Sequence, residues 1–124
     1  MEEGILTEVK KPKLINRVID KVVSPRGFKK IKANTEDFNT PSKLNRERND
    51  ESFIPDITAV RNGRKSYFEL ALKTEKIRQV VTKWKLLSQL ATFKRGKLFL
   101  IIPRGHYAFT KRVLKKYPIE AKLI

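Results

Sequence analysis

The sequence predicts an α/β domain, a mixed β-sheet flanked by helices. Three stretches carry that reading. Ile54 to Val60 and Tyr67 to Leu72 are rich in strand formers and flank Asn62-Gly63. An Asn-Gly pair between such runs signals a hairpin, because both turn residues must accept positive φ. Behind Thr74 comes a long run with apolar residues at helical spacing. Lys97 to Ile102, KLFLII, follows it and is nearly continuous in apolar character, as in a strand buried on both faces. Strand, long helix and strand in succession imply a parallel crossover of right-handed sense.

Taken in order, the elements read α-β-β-β-α-β-α, with room for a further β at the end. Met1 to Lys11 is polar with scattered apolar residues, a frayed start or a short helical turn. Pro12 suits the first position of a helix, where a missing N–H costs nothing. Ile15, Val18, Ile19 and Val22 then define one apolar face, and Ser24-Pro25-Arg26-Gly27 ends the helix. Phe28 to Ala33 alternates as a first strand. Residues 34–52 are polar, with Pro41 and the basic Lys43, Arg46 and Arg48. A loop of that length inside a compact domain is uncommon and tends to be functional or disordered. Two readings stand for it: a mobile surface loop, or a segment that orders on a phosphate backbone.

After the hairpin, Thr74 is the expected N-cap of the long helix. Its apolar stripe is Ile77, Val80, Val81, Trp84, Leu87 and Ala91, interrupted by Ser88 and widened by Leu86, Leu90 and Phe93. Trp84 reads as core. Arg95-Gly96 closes this helix, and Pro103-Arg104-Gly105 turns the chain after KLFLII. Tyr107 to Tyr117 forms a short helix with Phe109, Val113 and Leu114 inward, and His106 reads as a loop or helix-start residue. Pro118 stops the helix, and Ile119 to Ile124 supplies material for a terminal strand.

The hairpin holds the candidate chemistry. With Asn62-Gly63 at the turn centre, Arg61 lies opposite Arg64 and Asp56 opposite Glu69. Side chains alternate, so Asp56, Thr58 and Val60 share a face with Tyr67, Glu69 and Ala71. Ile57, Ala59, Phe68, Leu70 and Leu72 take the other face, which reads as core. Two carboxylates opposite each other sit about 5 Å apart at Cβ and repel. A divalent cation bound by hard oxygen ligands makes that arrangement favourable. The alternative is a turn one or two residues longer, with the acids offset and each solvated.

Pro55-Asp56, then an acid on the next strand, then a lysine, resembles the PD-(D/E)xK nuclease superfamily. The resemblance implies a restriction-endonuclease-like fold, a mixed sheet with helices on both sides, in one domain, residues 1–124, and a Mg²⁺ (or Mn²⁺) site. It puts Asp56 and Glu69 on the metal, with the backbone carbonyl of Leu70 as a further ligand. The superfamily's lysine, two residues past the acid, orients or activates the attacking water. Here that position is Ala71, and the next lysine is Lys73, about 13 Å along the strand from Glu69 on the same face. Lys73 therefore takes the lysine role, with Lys83 and Lys85 as candidates for a lysine that has moved to the following helix. Gln89 and Phe93, in QLATF, resemble the QxxxY element of the RecB-like branch with Phe in place of Tyr. That makes Gln89 a supporting residue; otherwise it is an ordinary helix-flank residue. Asp20, off the apolar face, and Glu8, upstream of Pro12, are not carried over as ligands.

Lys and Arg number 29 against 13 acids, a net charge of +16. Such an excess favours a polyanion partner, because each cation placed on a phosphate releases counterions. Nucleic acid, DNA ahead of RNA, is the expected partner, with Lys43, Arg46, Arg48, Arg61, Arg64, Lys65 and Lys83 as candidate contacts. An anionic membrane is the rival, but no cationic amphipathic helix stands out. The chain has no cysteine and one histidine, which excludes disulfides and thiolate zinc sites and disfavours histidine-based ones. No apolar run approaches membrane-spanning length and no signal-peptide pattern opens the chain, so the expectation is a cytoplasmic protein. So small a domain leaves room for a homodimer or a larger complex. Three functions follow: a metal-dependent nuclease, a nuclease-fold module that binds nucleic acid without turnover, and an interaction subunit.

Overall fold

The computed structural model describes residues 11–46 and 51–124. Residues 11–18 form α1, which runs on into a π-turn, Ile19–Val23, and a 3-10 turn, Ser24–Arg26. Next come β1 (Lys29–Ala33), β2 (Leu44–Arg46), β3 (Glu51–Phe53), β4 (Ile57–Arg61) and β5 (Arg64–Leu70). Helix α2 (Ile77–Phe93), β6 (Arg95–Ile101), α3 (Tyr107–Lys116) and β7 (Lys122–Leu123) complete the order. The sheet is five-stranded and mixed, in the order β1-β4-β5-β6-β7. β1, β4 and β5 pair antiparallel; β5, β6 and β7 pair parallel.

The hairpin register is the one expected. Arg61 pairs with Arg64 and Ile57 with Phe68, and Asn62 and Gly63 both take positive φ, 53° and 73°, as a two-residue turn requires. Alternation along β4 and β5 then splits the core in two. Ile57, Ala59, Phe68 and Leu70 pack with Ile15, Val18, Ile19 and Val23 of the first helical segment, and with Phe28, Phe99 and Ile101. Phe68 and Phe99 stack at 4.7 Å, with Phe28 edge-on to both. On the opposite face Tyr67, Ala71, Leu98 and Leu100 pack with Val81, Trp84 and Leu87 of α2 and with Phe109 and Val113 of α3. Both faces of the sheet are therefore core, including the Tyr67 and Ala71 face of the hairpin. No helix among the described residues is long and apolar enough to cross a membrane.

Several boundaries differ from the sequence reading, each for a local reason. The π-turn adds a residue to the last turn of the first helix, so Val23 completes the buried face and Val22 is only partly buried. Helix α2 begins at Ile77, not at Thr74. The Thr74 hydroxyl accepts the Lys76 N–H at 3.1 Å, which makes a local turn before the helix rather than its cap. Ile77, at the first helical position, is consequently exposed. Arg95-Gly96 opens β6 instead of closing α2. Gly96 runs so close to β5 that a Cβ would overlap the Lys65 carbonyl oxygen. The polar stretch 34–52 contains strands β2 and β3, which pair antiparallel with Leu44 opposite Phe53; Leu44 packs onto the α2-side core.

Candidate active site

Asp56 ends the chain's approach to β4, and Glu69 is the penultimate residue of β5. Both lie on the α2 side of the sheet, and they are 1% and 2% exposed. The two carboxylates grip each other's backbone. The Asp56 N–H donates to Glu69 Oε2 at 2.6 Å, and the Leu70 N–H donates to Asp56 Oδ2 at 2.9 Å. One oxygen of each acid is thereby fixed, and the other faces cations. Lys83 Nζ, from α2, stands 2.8 Å from Glu69 Oε1 and 3.9 Å from Asp56 Oδ1. Lys11 Nζ, from α1, lies 3.0 Å from Asp56 Oδ1. That oxygen is buried with no aligned hydrogen-bond donor among the described residues. It meets Lys11 as an ion pair alone.

Burial, then the charge of Asp56, pushes the Glu69 carboxyl up to about 7, against the pull of Lys83 and of the Asp56 N–H. For Lys83, burial acts downward, but Glu69 and Asp56 outweigh it and hold the ammonium above its ordinary value. The cluster is thus poised: two acids and two ammonium groups, with one of the acids titrating near neutrality.

Among the described residues no group of three or more His, Cys, Asp or Glu side chains gathers, so a cation would rely on two carboxylates. That suits Mg²⁺, which keeps several waters and is commonly bound through one or two carboxylates together with substrate phosphates. The hydrogen-bond-free Oδ1 of Asp56 and the Oε1 of Glu69 form such a donor pair. The residues fit the ion, provided that Lys11 gives way; its side chain is 36% exposed against 18% for Lys83.

The structure brings Asp56, Glu69 and Lys83 together, and Leu70 touches the site through its N–H. Lys73 does not join them. β5 ends at Leu70, and the chain leaves the sheet with the Lys73 N–H donating to His106 Nδ1 at 2.8 Å. His106 itself is the N-cap residue of α3. Gln89 is exposed; six residues on from Lys83, it lies about 120° around the helix and about 9 Å along it. Its neighbour in the motif, Phe93, is 79% exposed, so neither reaches the acids. Ser88, the polar break in the α2 stripe, donates to the Glu120 carbonyl at 2.6 Å and ties α2 to the segment before β7. Asp20 is exposed, as expected, and Glu8 lies outside the described residues.

Of the candidate nucleic-acid contacts, Lys43 and Arg64 are exposed. Arg61 covers the Phe28 ring at 4.5 Å. Lys65 is partly buried, and burial, then Lys32 and Lys94, lowers its pKa. The hairpin tip that carries Arg61, Arg64 and Lys65 lies about 17 Å along the strands from Asp56. Arg46 lies opposite Glu51 in the backbone register of the small sheet; Arg48 lies outside the described residues.

Lys11 is the residue the sequence reading missed. It stands four before Ile15 and seven before Val18, at the spacing of the buried face. Starting the helix at Pro12 hid it. Lys83 carried a similar signal, three after Val80 and four before Leu87, a cation at the edge of an otherwise apolar stripe. No family model matches the chain, and neither a curated protein nor a solved structure matches it.

Proposed function

We propose that the protein is a metal-dependent nuclease of restriction-endonuclease-like fold, cutting DNA phosphodiester bonds at Asp56, Glu69 and Lys83. The observation that carries this reading is the Lys83 ammonium, 2.8 Å from Glu69 and within 4 Å of Asp56. It provides from a helix the cation that Ala71 cannot provide from the strand. When bound, Mg²⁺ or Mn²⁺ supplies Lewis-acid polarisation of a phosphate oxygen and a water of lowered pKa. Asp56 and Glu69 would hold that ion, each having one oxygen not spent on a backbone N–H group. The Leu70 N–H keeps the Asp56 carboxylate in its orientation. Lys83 orients the attacking water and offsets negative charge that develops on the phosphate. Lys11, the more exposed of the two lysines, would then be free to meet a phosphate oxygen. Glu69 would have to be ionised to hold the ion, since a ligating carboxylate carries no proton.

The test is nicking of supercoiled plasmid with Mg²⁺ or Mn²⁺. Wild-type protein is expected to cut. Asp56→Asn is expected to abolish cutting, and Lys83→Met to slow it by about 100-fold, the usual scale for one electrostatic group at a reacting centre. An inert wild-type protein with either metal overturns the reading.

One observation favours a second reading. Both acids are almost wholly buried and already balanced by two ammonium groups, as in a closed structural network. A nuclease-fold module that binds nucleic acid without turnover fits that balance. It predicts salt-sensitive DNA binding that Asp56→Asn leaves unchanged, and no cutting.

A further inference from the structure

On the face of the sheet opposite the acid pair, a cleft of about 220 Å³ opens beyond the end of the first helical segment. Its side follows from alternation. Arg61 continues the Ile57 and Ala59 series of β4, and Lys97 lies two residues before Phe99 on β6, all facing the α1-side core. Four cations line the cleft, Arg26, Arg61, Lys97 and Lys122, together with Phe99, Leu123 and the last residue, Ile124, and no Asp or Glu is among them.

The wall is partly fixed in advance. The Arg61 guanidinium rests on the Phe28 ring at 4.5 Å and donates to the Arg26 carbonyl at 2.9 Å. The Lys97 N–H is held by the Ser66 hydroxyl at 3.0 Å, and Lys122 is set beside Phe99 by the parallel β6–β7 register. A concavity lined by cations of one sign focuses a positive potential, which favours an anion seated there. Two guanidinium groups with two ammonium groups suit a phosphate, which takes forked and point-charge donors together. The volume accommodates one such group. In a chain of net charge +16, the abundant source of phosphate is a nucleic-acid backbone.

We infer that this cleft is a second phosphate-binding site, which anchors one backbone phosphate of a nucleic-acid strand on the face of the sheet away from Asp56 and Glu69. It requires no turnover, so it stands or falls separately from the nuclease reading.

The test is fluorescence anisotropy of a labelled DNA duplex with the full chain in EDTA. Lys97→Ser with Lys122→Ser is compared with Lys115→Ser with Lys116→Ser on α3, which makes the same change in net charge. The cleft pair is expected to weaken binding at least about tenfold more than the α3 pair. It is also expected to lower the slope of log affinity against log salt by about 0.9, one phosphate contact. Lys97→Arg with Lys122→Arg, which preserves the charge, is expected to bind like wild type. Equal losses in the two serine pairs overturn the inference. So does displacement of the duplex by polyglutamate as readily as by unlabelled DNA, which would make the surface a site for acidic protein. An inorganic phosphate titration read by the thermal midpoint supplies a further arm. Cleft-dependent stabilisation by phosphate, with equal DNA binding in both serine pairs, would assign the cleft to free phosphate and overturn the strand assignment.

Discussion

At the scale of single residues, Glu69 is the group whose state changes most between unfolded and folded chain. Unfolded, it titrates near its ordinary 4.5; folded, burial and the neighbouring Asp56 hold its proton up to about 7. Between those values the folded state binds the extra proton, so the Glu69 contribution to stability is full below about 4.5 and is lost as pH rises through about 7. Urea midpoints measured from pH 4 to 8 are expected to show this decline in wild-type protein, with a flatter profile in Glu69→Gln. An identical slope in the two would mean that Glu69 is ionised throughout. The same proton affects ion binding in the opposite sense. Divalent affinity and plasmid cutting are expected to rise with pH through the same window, because the ion competes with the proton for Glu69.

At the scale of elements, the close approach of β5 and β6 fixes the site, since Glu69 and Leu70 sit on β5 and their register follows that of Leu100 and Ile101. Gly96 permits this approach, with the Lys65 carbonyl where its Cβ would be. Gly96→Ala is therefore expected to destabilise the fold by about 3 kcal/mol, the upper end for forced overpacking, measured as a shift in urea midpoint. A loss under about 0.5 kcal/mol, the scale of an unconstrained surface change, would show that the strands can part at no cost. Most elements were legible in the sequence because their signals are local. Asn62-Gly63 sets a turn, KLFLII sets a buried strand, and the stripe from Val80 to Ala91 sets a helix. The facing of Asp56 and Glu69 was legible for the same reason, as the turn alone dictates the register. The cations were harder to read. Which lysine reaches a carboxylate depends on how helices lie across the sheet, and no local pattern contains that. Lys73 looked right along the strand, but the chain leaves the sheet before it. Lys11 and Lys83 arrive from two helices that are distant in sequence. The weak β2–β3 pairing was hidden by a polar composition that resembles a loop.

At the scale of the whole molecule, the proposed nucleic-acid partner rests on charge. With +16 spread over 124 residues, DNA binding in EDTA is expected to fall steeply and linearly on a log–log plot against salt, with a slope of about −0.9 per phosphate neutralised. A flat dependence would point to a partner that is not a polyanion. Inside this cationic molecule the two buried carboxylates are the exception, and the proposed function depends on what occupies the space between them. The most direct measurement is titration of Mn²⁺ into the full chain, followed by calorimetry, with Asp56→Asn and Lys11→Met in parallel. One Mn²⁺ per chain is expected, abolished by Asp56→Asn and tightened by Lys11→Met, which removes the ammonium competing for Asp56 Oδ1. No binding in wild-type protein, or binding that survives Asp56→Asn, would contradict a metal site at the Asp56–Glu69 pair.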